Sequence, residues 1–246
     1  MKSPLKYHND HAGALPIIKK IVPVGSVISS YLFYSGELEF ALCNSGRFVL
    51  AHTNKYVIDE FWQCVMEDCF SLYEIATSEQ VARIIDRNAF HILHLRSALF
   101  FILNRHSDSG LVSSGDFKKS FFNPVCVSYL RNFYIENFHL KYTPDKIFKD
   151  PAETYPRSPN FYLFPLGKFN YNLFDQGKNY GLEQYKINHR EFFSTISRDG
   201  SKWILLYKPH ALVFSLYKKF NIMMVDKRGV LTTDKQNCED IIVTNF

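Results

Sequence analysis

The sequence predicts an α/β fold built on a mostly parallel sheet. A β-rich run at 28–33 leads through a helical segment at 37–44 to an apolar run at 48–51, and the three form a βαβ unit. Such a unit is the seed of a doubly wound sheet. Strand and helix patterns alternate again after residue 160, and the last two strand patterns can pair as a terminal antiparallel hairpin.

Local patterns justify each element of the first half. The pattern at 12–22 predicts a short amphipathic helix, which Pro23 ends. Gly46 is expected to end the helix at 37–44. Residues 55–104 repeat apolar side chains at helical spacing. Residues 105–121 are polar and contain two glycines, which favours a loop or a hairpin tip.

The second half is predicted in the same way. Residues 125–140 begin as a helix and end as a strand, whereas 143–159 hold four prolines and predict an irregular connection. A helix is expected at 187–197. The strands expected after residue 160 are 161–164, 202–207, 220–225 and 241–244.

Composition bounds the class of protein. With 246 residues and 46% hydrophobic residues, the chain can form one large domain or one domain with an insertion. Aromatic residues make up 16%, which favours a large aromatic core over surface rings that stack on bases. A net charge of +5 permits an anionic partner such as nucleic acid and does not require one.

Cysteine usage and apolar runs predict the compartment. The five cysteines are odd in number and form no CxxC pair, which favours buried free thiols in a reducing compartment. The start of the chain is polar and no run has the length of a membrane span. We therefore expect a cytoplasmic or otherwise intracellular soluble protein without a membrane partner.

Common catalytic motifs are absent from the sequence. It contains no G-x-S-x-G, no H-E-x-x-H and no P-loop. The cluster of His8, Asp10 and His11 matches no standard metal spacing, so no metal site is expected.

Seven segments in the correct order resemble the Dam-type adenine-specific DNA methyltransferases over nearly the whole chain. They are 3–7, 31–42, 49–54, 99–110, 161–167, 217–222 and 239–245. The resemblance implies a Rossmann-like class I methyltransferase sheet formed by 1–54 and 141–246. It also implies that 55–140 is a helical target-recognition insertion with a hairpin.

The catalytic motif of this family is altered. The family carries Asp-Pro-Pro-Tyr, whose acidic and aromatic side chains hold the flipped adenine. The corresponding residues of this chain are Phe164, Pro165, Leu166 and Gly167. Phe164 cannot accept a hydrogen bond and Gly167 offers no ring, so no catalytic residue is expected and Phe164 is interpreted as core.

The cofactor loop implied by the resemblance is also altered. After Phe33, Ser35 and Glu37 stand at the two glycine positions, with Gly36 between them. The Glu37 carboxylate would repel the methionine carboxylate of S-adenosylmethionine. Alternatively, Glu37 faces solvent and suits the dipole at the start of its helix. His52 replaces the acidic residue that holds the ribose, which removes a bidentate acceptor.

The N-terminal motif differs as well. Tyr7 fits the family opening, but Asn9, Asp10 and His11 stand in place of the Gly-Gly-Lys that closes over the cofactor. We therefore expect no cofactor.

DNA contacts are predicted only to phosphates. Contacts to the DNA backbone could be made by Arg105, Lys118 and Lys119, which would supply affinity without recognising the DNA sequence. A solvated basic turn explains the same residues equally well.

Three functional hypotheses follow. The first is an inactive methyltransferase homologue that binds DNA or a protein partner, such as an active methyltransferase subunit or a component of a phage or defence system. The second is an active, divergent S-adenosylmethionine-dependent enzyme in which Asn170, Tyr171 or Asp175 accepts the hydrogen bond of the adenine amine. The third is an interaction scaffold without a nucleic-acid role.

Overall fold

A computed structural model gives the architecture of the chain. The residues it describes are 2–7, 10–78, 93–107, 110, 122–144, 159–167, 187–198 and 200–246. The strands are β1 (Val27–Ser30), β2 (Phe48–Thr53), β3 (Phe138–Tyr142), β4 (Phe161–Gly167), β5 (Trp203–Tyr207), β6 (Asn221–Asp226), β7 (Leu231–Thr232) and β8 (Cys238–Thr244).

A short 3-10 helix at Ala12–Ala14 precedes the first α-helix. The α-helices are α1 (Leu15–Ile21), α2 (Glu37–Cys43), α3 (Tyr56–Thr77), α4 (Leu93–His106), α5 (Pro124–Arg131), α6 (His189–Ile196) and α7 (Ala211–Leu216).

The described strands form one sheet in the order β3-β2-β1-β4-β5-β8-β6-β7. The pairs from β3 to β5 are all parallel. Strand β8 runs antiparallel to both β5 and β6, and β7 is antiparallel to β6. The predicted α/β class is confirmed, with a mostly parallel sheet and an antiparallel end.

Most predicted elements are found at or near their expected positions. The helix after β1 ends close to Gly46, whose φ of 80° fits the turn that only glycine adopts easily. Strands β4 and β8 are longer than predicted. Helix α7 and the two-residue strand β7 were not predicted, because each is too short to show a period.

Helix α3 is broken at Asp68, where the backbone is extended (φ −152°, ψ 82°). The Asp68 carboxylate accepts hydrogen bonds from the Ser71 backbone N–H (3.0 Å) and from its hydroxyl (2.6 Å). Asp68 therefore acts as the N-cap of the second half of the helix. The kink thus marks the point where the first half of α3 ends and a second, N-capped half begins.

Two hydrophobic clusters cover opposite faces of the sheet, as alternation along the strands requires. One contains Phe40, Trp62 and Leu163 and joins α1, α2, α3 and α5 to the sheet. The other contains Phe164 and Trp203 and joins α6 and α7 to it. Both clusters contain many buried aromatic rings, in agreement with the aromatic-core interpretation.

Helices α3, α4 and α5 fall within the range 55–140. They share the first cluster with the sheet, and β3 joins the sheet at Phe138, three residues before the predicted boundary at 141. The assignment of this range to target recognition stays a prediction.

Candidate functional site

The candidate site lies at the carboxyl ends of the central parallel strands. The chain leaves β1 for β2 and β3 on one side, whereas β4 and β5 lie on the other. Open α/β sheets bind ligands in the crevice at such a reversal. The predicted loop 33–37 follows β1, His52 lies near the end of β2, and 164–167 end β4. The fold therefore brings these three predicted groups of residues to one edge of the sheet.

Three stacked aromatic rings lie next to this edge of the sheet. The Tyr31 ring lies between His52 and Phe164, with centroid distances of 4.5 and 5.0 Å and interplanar angles of 8° and 10°. Phe192 of α6 packs edge-on against Phe164 at 5.1 Å. Tyr31, His52 and Phe164 are 2%, 5% and 0% exposed. We call Tyr31, His52 and Phe164 the aromatic stack.

Tyr31 was not singled out from the sequence. It directly follows β1, and its backbone N–H donates to the Leu163 carbonyl of β4 (2.9 Å). A large ring at this position, at a strand end next to the reversal of strand order, is the signal that could have identified it. Phe33, which was singled out, instead packs in the other cluster against Phe40 and Trp62.

His52 is a buried, neutral side chain near the end of β2. Its Nε2 is 3.0 Å from the Ser29 hydroxyl, inside the sheet. Burial, followed by the nearby charges of Lys141 and His139, lowers the pKa of His52 to about 4. The ring is therefore neutral at physiological pH and is held by stacking on Tyr31 and by the hydrogen bond with Ser29.

The end of β4 is packed into the core. Phe164 and Leu166 are buried, and Pro165 is half-buried. Gly167 has a φ of 67°, in the left-handed region, so a tyrosine at this position would be strained. The Gly167 carbonyl accepts from the Lys208 backbone N–H (2.7 Å) and continues the β4–β5 pairing.

The loop after β1 is shaped by packing. Gly36 has a φ of 77°, and a Cβ there would collide with the Phe40 ring. Gly36 is thus required to start α2 with Phe40 beneath it. Ser35 is buried, and its carbonyl accepts from the Ser3 hydroxyl. Glu37 is in the first turn of α2, where it suits the dipole, and its Oε2 accepts from the Ser3 backbone N–H (3.3 Å).

The buried side chain of His11 connects the N-terminal segment to β4 and β8. Its Nδ1 lies 2.7 Å from Asp240 Oδ1 of β8, and its Nε2 accepts from the Gly167 backbone N–H (3.2 Å). The Nδ1–H therefore donates to Asp240, whose Oδ1 also receives Lys208 Nζ at 2.9 Å. His11 is fully buried. Burial alone would raise the pKa of Asp240, but His11 and Lys208 hold it below its ordinary value.

The beginning of the chain is tied to α4. Asn104 accepts from the Lys6 backbone N–H (2.8 Å) and donates to the Lys6 carbonyl (3.0 Å). Tyr7 stacks on Tyr34 at 4.5 Å. We call residues 2–7 the N-terminal strap. It is fixed to α4 through Asn104 and to the loop after β1 through Ser3.

A cavity of about 490 Å³ lies between the strap, the start of α2, α4 and α5. It collects four of the predicted cofactor-loop and N-terminal residues together with a predicted DNA contact: Tyr7, Asp10, Ser35, Glu37 and Arg105. Arg105 therefore lines a cavity at the end of α4.

Several predicted residues lie outside the described part of the chain. They are Lys118 and Lys119, proposed for DNA, Asn9 and His8 near the start, and Asn170, Tyr171 and Asp175 of the active-enzyme hypothesis. In the part that is described, no three His, Cys, Asp or Glu side chains are grouped so as to hold a metal. Nor is any described helix long and apolar enough to cross a membrane.

All five cysteines are free thiols, and Cys43, Cys64 and Cys126 are buried. Burial is the main cause that raises the pKa of Cys43 to about 12, so this thiol is inert.

The sequence matches no known family model and no curated protein.

Proposed function

We propose that the chain is a catalytically inactive homologue of the Dam-type DNA adenine methyltransferases that acts by binding DNA or a protein partner. The aromatic stack is the observation that carries the proposal. It lies next to the edge of the sheet where an α/β fold of this kind takes its ligand, and the resemblance aligns two of its members with the family's ribose-binding and catalytic acids.

The topology supports this ancestry. Five parallel strands in the order β3-β2-β1-β4-β5 are followed by the reversed strand β8, inserted between β5 and β6. This arrangement agrees with the sheet and terminal antiparallel hairpin that the resemblance implies. The N-terminal strap contacts the loop after β1, where the family's N-terminal motif closes over the cofactor.

The chemistry argues for loss of catalysis. Methyl transfer to an adenine amine needs an acceptor at the end of β4, and an acceptor of this kind contributes several kcal/mol in a preorganised site (about 3 kcal/mol). Phe164 supplies none, and its ring is packed between Tyr31 and Phe192. A neutral His52 likewise supplies no carboxylate for a ribose.

The first test is a calorimetric titration of the full-length chain with S-adenosylmethionine, with an active Dam-type enzyme as the positive control. We expect no binding at millimolar cofactor and no methyl transfer to mixed-sequence DNA. Micromolar binding would overturn the proposal. Methyl transfer that disappears in an Asp175→Ala variant would establish the active-enzyme hypothesis in its place.

The binding role is tested by measuring the affinity for duplex DNA at low and high salt. DNA binding through phosphate contacts weakens steeply as salt rises. Salt-sensitive binding supports a DNA-binding role. A stable complex with an active methyltransferase, without DNA binding at low salt, supports the partner-binding form. Failure of both would leave only the scaffold hypothesis.

A further inference from the structure

A second cavity lies between helices α3, α4 and α5. Its volume is about 910 Å³, near the upper end of the usual range of small-molecule sites, roughly 300–1,000 Å³. No member of the aromatic stack or of the N-terminal strap is among the described residues that line it. The cavity is therefore separate from the groups of residues on which the proposed function rests.

The wall of this cavity is mainly apolar. Helix α4 contributes Leu99, Ile102 and Leu103. These positions are three and four residues apart, so their side chains lie on one side of the helix. Ala76 of α3 and Val127 of α5 line the cavity as well and are buried. Leu103 is 40% exposed. Apolar surface that three helices leave open to water favours an apolar ligand.

Arg131 adds a positive charge to the wall, in the last turn of α5. Its guanidinium carbon lies 5.3 Å from the centroid of the Tyr73 ring, which also lines the cavity. A guanidinium that lies over a ring keeps the N–H donors at its edge available for a carboxylate. Among the described residues, no carboxylate lies within ion-pair distance of Arg131. No acidic side chain is found among the described lining residues either. The charge of the cavity therefore complements an anion.

The balance of one charge against a large apolar wall selects the class of ligand. A nucleotide or a nucleic-acid backbone carries several charges and many polar groups, whereas Arg131 is the one cation among the described lining residues. Polar groups that enter an apolar space without hydrogen-bond partners are costly. A ligand with a single negative charge and a long apolar part avoids this cost.

We propose that this cavity binds a straight-chain fatty acid. The alkyl chain packs between α3, α4 and α5, against Leu99, Ile102 and Val127. The carboxylate pairs with the guanidinium of Arg131, whose fork of N–H donors matches the two carboxylate oxygens. Binding at this site requires neither S-adenosylmethionine nor DNA, so it can succeed or fail independently of the proposed function.

The test is calorimetry on the whole chain with decanoate, decanol and decylamine, each below its micellar concentration. We expect decanoate to bind about tenfold more tightly than decanol, because hydrogen bonds to a charged group are stronger than those to a neutral one. Decylamine should bind more weakly than decanol. Affinity should also rise from octanoate to decanoate, by up to roughly fourfold for each methylene that becomes buried. Absence of decanoate binding, or tighter binding of decylamine than of decanoate, would overturn the proposal.

Two variants locate the site. Arg131→Gln, at an exposed position, should weaken decanoate by about tenfold and leave decanol unchanged. Ile102→Trp adds a large ring at the wall and should weaken both ligands. The matched controls are Arg190→Gln on α6 and Leu212→Trp on α7, two exposed positions that do not line the cavity. A loss confined to the cavity variants supports the location, and unchanged affinity in both of them would refute it.

A second copy of the chain is the competing occupant of this apolar wall. Light scattering after size-exclusion chromatography distinguishes the two. A monomer that binds decanoate supports the ligand site. A dimer that Leu103→Asp dissociates, without decanoate binding by either form, would show that the wall is an interface between copies and would overturn the proposal.

Discussion

Restoring an acidic side chain at the end of β4 gives the most direct test of the aromatic stack. Phe164→Asp returns the carboxylate that the methyltransferase motif carries. In this fold the position is fully buried, with Tyr31 stacked at 5.0 Å and Phe192 edge-on at 5.1 Å. We expect the substitution to destabilise the protein and to restore no cofactor binding.

The magnitude follows from the burial of the ring. Removing a buried phenylalanine side chain costs about 3–5 kcal/mol. Placing a carboxylate in the same apolar space adds a desolvation cost, so about 4 kcal/mol is a lower estimate. For a chain of this size each kcal/mol lowers the melting temperature by about 2–4 °C, which gives a fall of about 8–16 °C.

The assay is thermal and urea unfolding followed by circular dichroism, with S-adenosylmethionine titration of the folded variant. Phe164→Leu is the matched control, because it removes the ring without adding a charge and should lose less stability. If Phe164→Asp keeps the melting temperature of the parent chain and binds the cofactor, the crevice is open and the reasoning fails.

Four further predictions concern the residues around the site. The pKa of His52 is about 4 in the folded chain, against an ordinary value of 6.5. At a pH between these two values the unfolded chain therefore carries a proton on His52 that the folded chain lacks. Stability should therefore fall by up to about 3 kcal/mol as pH drops through this window, and His52→Gln should flatten the urea-unfolding profile. The pKa of Asp240 is held below its ordinary value. The stabilisation that Asp240 contributes is thus present above the ordinary pKa of an aspartate and is lost as pH falls through its pKa in the folded chain. Asp240→Asn should lower the free energy of unfolding by about 3 kcal/mol at neutral pH, measured by urea unfolding. Asp68→Ala should cost about 1 kcal/mol through loss of the cap in α3, measured by thermal unfolding. Asn104→Ala should speed hydrogen exchange at Lys6, because the Asn104 side chain accepts from the Lys6 backbone N–H and donates to the Lys6 carbonyl.

The controls separate these effects from general damage. Asp68→Asn keeps a capping side chain and should retain most of the stability. The exchange rate within β5 should stay unchanged in Asn104→Ala, since the hydrogen bonds of β5 are made with β4 and β8 and do not involve Asn104. An unchanged pH profile in His52→Gln, or full stability in Asp240→Asn at neutral pH, would contradict the burial and pairing described for those side chains.

Much of the fold could be predicted from the sequence because the strands are short apolar runs separated by clear helical periods. Residues 28–33, 48–51 and 202–207 are of this kind, and each contributes a strand to the sheet. The break in α3 could not be predicted, because nothing in the sequence distinguishes Asp68 from an exposed residue inside a helix. Its role as a cap depends on its contact with Ser71.

The candidate site was predicted in part. The resemblance assigned 33–37 and His52 to the cofactor site and 164–167 to the catalytic motif, and the fold brings these residues to one edge of the sheet. The stack itself depends on side-chain directions set by the turn after β1, where Leu32 adopts a φ of 60°. The partners of His11, Gly167 and Asp240, are 156 and 229 residues away along the chain, a separation that local patterns do not encode.

The position of β8 has a consequence for the order in which the chain folds. All other described strands precede β8 in the chain, yet it lies inside the sheet between β5 and β6. During synthesis the edge of β5 stays open until β8 leaves the ribosome, and only then can β6 and β7 join the sheet. An open apolar edge favours pairing with other chains. Nascent chains that stall before Cys238 should therefore be the aggregation-prone species and the natural clients of chaperones.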